Sequence, residues 1–306
     1  MTTPTVTVSG VAKRYGKVDA VRDVSLTLNE GETVALVGHN GAGKTTLIKL
    51  MLGLIRPSHG TVQVLGEDPT RGDFVVRRRL GYLPESVSFH MALTGRETLA
   101  FYARLKRVDA SATPELFDRV GLAPAAADRP VRTYSKGMRQ RLGLAQALLG
   151  QPRILLLDEP TSGLDPALRR SFYDLIAELR LTGTTVLLSS HALSEIEDRA
   201  DRVIIVNQGV KIADGTLDNL RGIARLPTRI NVSLADNATV AEWCAGRAAW
   251  KKTGDKTVET QVAPEDKISL LQQVTANAAA VTNLHIMEPT LDDLYVHFLD
   301  GQGRTT

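Results

Sequence analysis

The sequence predicts a mixed α/β fold: a large first domain over residues 1–222, with a helical subdomain at about 86–150, and a small α/β appendage over 223–306. Three observations carry this expectation. Short apolar runs at Thr33–Val37, ILLLD and TTVLL have the length and composition of buried parallel strands. A glycine-rich turn, GHNGAGKT, joins the first of these runs to the helical pattern TLIKLMLGL. Between Glu85 and Gly150 helical periodicity replaces the strand pattern, which returns afterwards.

Taken in order, the first strand is expected at Val6–Val11, followed by KRYG and a second apolar segment, AVRDVSLTLNEGE. After the glycine-rich turn and its helix, GTVQVLG reads as a strand because Val62 and Val64 fall on one side. GRETLAFYARL and ASATPELFDRVGL are helical, as is the segment from Gly137 to Leu149, where Met138, Leu142, Ala145 and Leu149 recur at helical spacing. RVIIVNQGVKI predicts a hairpin around Asn207 to Gly209. Gly222 to Arg225 is the expected boundary. Beyond it RINVSL, TVETQV and NLHIM read as strands around a helix near ISLLQQV. A closing helix sets Leu291, Leu294, Tyr295 and Phe298 on one side, and Trp243 and Trp250, seven apart, are expected to share a helical face.

Composition narrows the functional classes. With 306 residues the chain can bury a sizeable core, and 43% hydrophobic with 23% charged residues argues against wholesale disorder. The 37 basic against 34 acidic residues leave +3, which fits an anionic ligand and is no nucleic-acid signature. Cys244 stands alone, and the six histidines (His39, His59, His90, His191, His285 and His297) are scattered, so no copper cage is expected. No apolar run approaches the ~20 residues that span a bilayer, and the start lacks the pattern of a signal peptide. A cytosolic chain that needs another subunit for membrane work is the expectation.

The chemistry concentrates in a few segments. In GHNGAGKT, residues 38–45, glycine permits the tight backbone that turns N–H groups toward phosphate oxygens. Gly38, His39, Asn40, Gly41, Ala42 and Gly43 form this loop, with Thr46 just beyond it. Lys44 is placed to reach the β- and γ-phosphates, and the Thr45 hydroxyl to ligate magnesium. ILLLDEP puts Asp158 and Glu159 at the C-terminal edge of a buried strand, near that loop. Asp158 would hold magnesium directly or through water; Glu159 would polarise the water that attacks the γ-phosphate. Such a pair alone is more often a capped strand end, and Lys44 with Thr45 tips the balance.

A phosphate loop by itself permits a kinase, a GTPase or a motor ATPase. In YSKGMRQR, Ser135 and Gly137 lie at a helix start, where free N–H groups can grip phosphate. Ser135 alone would read as a simple cap. TSGLD follows DEP directly, and His191 follows TTVLLSS. In this order the motifs resemble an ATP-binding cassette domain over the first 222 residues. The resemblance implies a P-loop cassette fold and a Mg²⁺-dependent ATPase. It also implies a head-to-tail dimer in which Ser135 and Gly137 complete the ATP site of a second copy. Ser162–Asp165 would lie at that interface, His191 would contact the γ-phosphate, and Tyr15 would stack on adenine.

Two departures stand out. Lys136 and Met138 replace a glycine and a glutamine common in the signature segment. Glu85, in GYLPES, stands where the family commonly has glutamine; it cannot donate an amide hydrogen bond and brings charge toward magnesium.

GHNGAGKTTLIKLMLGLIRPSHG, YSKGMRQRLGLAQALLGQPRILLLDEPTSGLDP and IMEPTLDDLYVHFL resemble more closely the ATPase subunits of nitrous oxide reductase maturation transporters. That resemblance implies a subunit on the cytoplasmic face of the inner membrane, attached through a separate transmembrane permease dimer. It further implies a periplasmic maturation factor and a role in assembling a copper–sulfur centre. RETLAFYARLK would face the permease, although Phe101 taken singly reads as core. The alternatives are an ATPase for a drug, lipid or polysaccharide exporter, and a non-transport cassette ATPase acting on nucleic acid. The last class often carries tandem cassettes, coiled-coil insertions or basic elements not evident here, and no nucleic-acid partner is expected.

Overall fold

A computed structural model describes residues 4–72, 74–109, 111, 113–245, 249–276 and 280–302. The chain forms two compact units, Met1–Thr216 and Leu217–Thr306. The boundary expected at 222/223 falls instead inside a helix, Leu217–Ala224, which belongs to the second unit.

In the first unit the order is β1 (Pro4–Tyr15), β2 (Val18–Asn29), β3 (Thr33–Val37), α1 (Lys44–Met51), β4 (His59–Val64), α2 (Phe74–Arg78) and β5 (Leu80–Leu83). The helical segment follows as α3 (Gly95–Lys106), α4 (Thr113–Arg119), α5 (Pro124–Ala127) and α6 (Lys136–Leu148). The unit closes with β6 (Ile154–Asp158), α7 (Pro166–Leu181), β7 (Thr185–Ser190), α8 (Leu193–Ile196), β8 (Arg202–Asn207) and β9 (Val210–Gly215).

Six strands form the main sheet in the order β5-β6-β7-β3-β8-β9, with β9 alone antiparallel. Every residue of β3, β6 and β7 is buried, as expected of strands covered on both faces. A three-stranded antiparallel sheet, β2-β1-β4, completes the unit. Val6, Val8, Val11, Val24 and Leu28 from that sheet share one core with Leu36, Leu47, Ile48, Leu156, Leu187 and Ile204. β1 outruns the Val6–Val11 segment read from sequence because register shifts at several points break the two-residue alternation, while β2 starts two residues before its segment and ends at Asn29.

In the helical segment, α3 opens on a capping box: Thr94 accepts from the Glu97 amide, and Glu97 reaches back to the Thr94 amide. Within α6, Leu142 and Ala145 are fully buried, but the helix stops at Leu148 and Leu149 caps it in an extended conformation. The core reading of Phe101 does not hold. It is 51% exposed on α3, edge-to-face with Tyr102.

The second unit contains α9 (Leu217–Ala224), β10 (Thr228–Leu234), α10 (Asn237–Ala245), β11 (Lys251–Lys252), β12 (Thr257–Val262), α11 (Lys267–Ala276), β13 (Val281–Met287) and α12 (Leu291–Gln302). Its antiparallel sheet runs β11-β12-β10-β13, a split βαβ arrangement. Ile230, Val232, Val240, Trp243, Trp250, Val258 and Val274 form its core. The tryptophans meet edge-to-face at 5.7 Å, but they share no helix: α10 carries Trp243, and Trp250 follows its end. Leu291, Leu294 and Tyr295 are buried on α12, while Phe298 is half-buried.

Candidate functional site

Three neighbouring strands, β3, β6 and β7, deliver the site residues at their C-terminal ends. The loop after β3 leads into α1, and Gly43, the residue before that helix, has φ 106°. A Cβ there would sit 2.7 Å from the Ala20 carbonyl oxygen, so the position admits only glycine without strain. Gly41 also has positive φ, 82°. With no side chain capping α1, its first N–H groups are left for a bound anion. Lys44, buried at 6% exposure, donates from Nζ to the Gly38 carbonyl at 2.5 Å and lies 3.3 Å from Glu159 Oε1.

The register of β6 against β7 sets Asp158 beside Ser189. Asp158 Oδ1 accepts from the Ser189 hydroxyl at 2.7 Å and Oδ2 from the Thr45 hydroxyl at 2.8 Å. Ser189 Oγ also accepts from the Glu159 amide at 2.9 Å. Glu159 has φ 49°, a conformation costly for a non-glycine residue, and one that aims its buried carboxylate at the loop. Its Oε2 lies 2.7 Å from His191 Nδ1. Its Oε1 makes the ion contact to Lys44 but no hydrogen bond. Burial pushes the Tyr82 phenol up to about 12, with the Asp158 charge adding to the shift.

A cavity of about 600 Å³ gathers Tyr15, the loop residues His39, Asn40, Gly41 and Gly43, then Lys44 to Thr46, and Glu85, Asp158 and Glu159. Gly38 and Ala42 support the loop from below: Gly38 through its carbonyl, Ala42 by donating its amide to His39. Tyr15, at the end of β1, is 46% exposed, and the Lys13 ammonium lies 5.2 Å from its ring centroid. His191 joins through its bond to Glu159. Ser135 and Gly137 do not line this cavity. Ser135 caps α6 by accepting from the Met138 amide at 3.2 Å, and Asp165 likewise caps α7. Lys136 reaches over Gly163, where a Cβ would meet its ammonium at 2.7 Å.

The sequence reading missed Ser189, which donates to Asp158, and Arg22 and Gln208, which line the cavity. The two serines closing TTVLLSS were the available signal for Ser189. Gln208 faces the cavity from the β8–β9 hairpin at φ 48°, which composition does not reveal.

The donor set fits magnesium. Thr45 and Asp158 present hard oxygen atoms side by side, and magnesium characteristically takes few protein ligands and completes its shell with phosphate and water. Among the described residues no group of three or more His, Cys, Asp or Glu side chains could hold a metal alone.

Residues 21–162 match the ABC transporter family. An uncharacterised ABC transporter ATP-binding protein from Nostoc sp. is 38% identical over 94% of this chain and 85% of its own. The chain belongs to the ABC transporter ATP-binding proteins. A second relative of this ABC ATPase is the daunorubicin resistance ATP-binding protein DrrA3 of Streptomyces coeruleorubidus. It is 35% identical over 98% of this chain and 96% of its own. Among solved structures, a dimeric post-hydrolysis state of the cassette MJ0796 bound to ADP and Pi matches with TM-score 0.65 and 25% identity, covering 69% of this chain and 98% of that one. The ABC ATPase accordingly binds ATP with Mg²⁺ and hydrolyses it. Proteins of this family dimerise and work with a transmembrane permease. Among the described residues no helix is long and apolar enough to cross a membrane.

Proposed function

We propose that this ABC ATPase powers an exporter of amphipathic drug-like molecules through a separate permease dimer. The observation that carries the reading is the likeness to the daunorubicin resistance protein, which extends over nearly the full length of both chains and so includes the second unit. None of the relatives above is named for nitrous oxide reductase maturation, and the exporter reading takes precedence over that resemblance and its periplasmic partner. Attachment to the membrane would come through the permease, with the exposed Phe101 on α3 as one apolar contact.

In this reading the loop from Gly38 to Thr46 cradles the phosphates, and Tyr15 stacks on adenine. Ser135 and Gly137 serve the site of the second copy, through backbone N–H groups at the start of α6. Thr45 and Asp158 would hold magnesium, with Glu85 lining the same cavity. Magnesium, when bound, neutralises charge that develops on the phosphate oxygens. Lys44 exchanges its contacts with the Gly38 carbonyl and Glu159 for phosphate oxygens. Glu159, released from Lys44, takes the proton of the attacking water, and His191 keeps the carboxylate oriented through Nδ1. Loss of the γ-phosphate removes contacts shared between the two copies and favours opening.

The test is co-purification with the native membrane neighbours, followed by daunorubicin uptake into inside-out vesicles. Capture of a permease and ATP-driven uptake, lost in Glu159→Gln, are expected. No captured permease, or equal accumulation with and without ATP, would sink the reading.

A further inference from the structure

Glu159 and His191 sit at the starts of two irregular segments, and the 2.7 Å contact between them depends on how those segments are held. Below, the β6–β7 ladder fixes them as far as Asp158 and Ser189. Above, a second connection joins them through side chains alone. Thr161, buried two residues after Glu159, donates to Glu195 Oε2 at 3.1 Å. Glu195 lies on α8, four residues after His191, and its other oxygen pairs with Arg169 on α7. The Arg169 Nε–H donates to the Leu164 carbonyl at 3.0 Å, which anchors the segment between Glu159 and α7. Each member is thus held from a different element, and the pair is part-buried, with side chains 37% and 21% exposed.

The segments themselves are short of internal support. The one leaving Glu159 makes two backbone turns, Ser162 to Glu159 at 3.2 Å and Leu164 to Thr161 at 3.1 Å. The one leaving His191 has the Ala192 amide donating to Ser190 Oγ at 3.0 Å and one backbone turn, Glu195 to Ala192 at 3.3 Å. Neither set bridges from one segment to the other. The carboxylate of Glu195 does.

We propose that Arg169 and Glu195, together with Thr161, form a strut that sets the separation of Glu159 and His191, making Arg169 and Glu195 positioning residues for ATP hydrolysis. Neither touches the nucleotide cavity. A small displacement of a catalytic pair is expensive in rate, whereas nucleotide affinity resides in the loop and α1, which line the cavity that Arg169 and Glu195 do not. The strut therefore acts on turnover and leaves ATP binding alone. This inference rests on the roles given above to Glu159 and His191.

Steady-state ATPase kinetics of the full chain test it, with Glu195→Gln, Arg169→Met and the reversed pair Arg169→Glu/Glu195→Arg. Each single change should lower kcat about tenfold while KM for ATP stays within about twofold, the signature of lost transition-state stabilisation. The reversed pair should recover only about threefold of that loss, since it restores the charge pairing but neither the acceptor for Thr161 nor the donor to the Leu164 carbonyl. Wild-type kcat in both single variants overturns the strut, as does a joint fall of kcat, ATP affinity and thermal midpoint without recovery in the reversed pair. Glu159→Gln run alongside separates the two layers. If it turns over normally the catalytic reading fails; if it is inactive while the strut variants are normal, only the strut fails.

Discussion

Gly43→Ala isolates what the phosphate loop demands of its backbone. At φ 106° an L-residue carries a penalty of about 1–2 kcal/mol. The added Cβ would also sit 2.7 Å from the Ala20 carbonyl, and relieving that overlap costs about 1–2 kcal/mol more. The sum is about 3 kcal/mol. For a unit of 216 residues this lowers the melting midpoint by roughly 6–12 °C. Gly41→Ala supplies the contrast: its φ is 82°, but nothing lies within 4 Å of the added methyl. It meets the backbone penalty alone, a drop of roughly 3–6 °C. Differential scanning calorimetry of both variants measures the difference. A Gly43→Ala midpoint within about 2 °C of wild type, or a larger loss in Gly41→Ala, would refute the steric account.

Two further outcomes follow from the geometry. Thr45→Val keeps the shape of the side chain but removes the hydroxyl that faces Asp158 at 2.8 Å; the magnesium concentration for half-maximal ATPase should rise about tenfold or more, read by titration at saturating ATP. In the second unit, Lys267 and then Thr228 hold the Glu288 carboxyl below its usual 4.5. That lowered value means the contribution to stability is present above about 4.5 and disappears as pH falls through the folded value. Both tryptophans lie in this unit, so their fluorescence during denaturant unfolding should report a loss of stability on acidification that Glu288→Gln flattens.

The parts of the site legible in the sequence were those whose chemistry is local. The loop from Gly38 to Thr46 carries its own instructions, because the strand, the glycines and the helix start are contiguous. Asp158 and Glu159 were legible because four apolar residues precede them. Ser189 was not, since its role arises from lying beside Asp158, 31 residues away in sequence on the neighbouring strand. The same limit applied to the tryptophans. Their seven-residue spacing predicted a shared helical face, and they meet instead across the end of α10. The strut escaped notice for a related reason: Thr161, Arg169 and Glu195 lie on three separate segments that only the fold brings together.

The position of β3 in the main sheet has a consequence for synthesis of the chain. β3 is complete by residue 37, yet its two neighbours are β7 and β8, made some 150 residues later. Until then a strand destined to be buried along its whole length has neither edge paired, and pairing across so long a loop is slow. The phosphate loop hangs from that strand, so a nascent chain ending before Asn207 has no assembled site for ATP to stabilise. Nucleotide therefore stabilises only chains long enough to hold β7 and β8 beside β3.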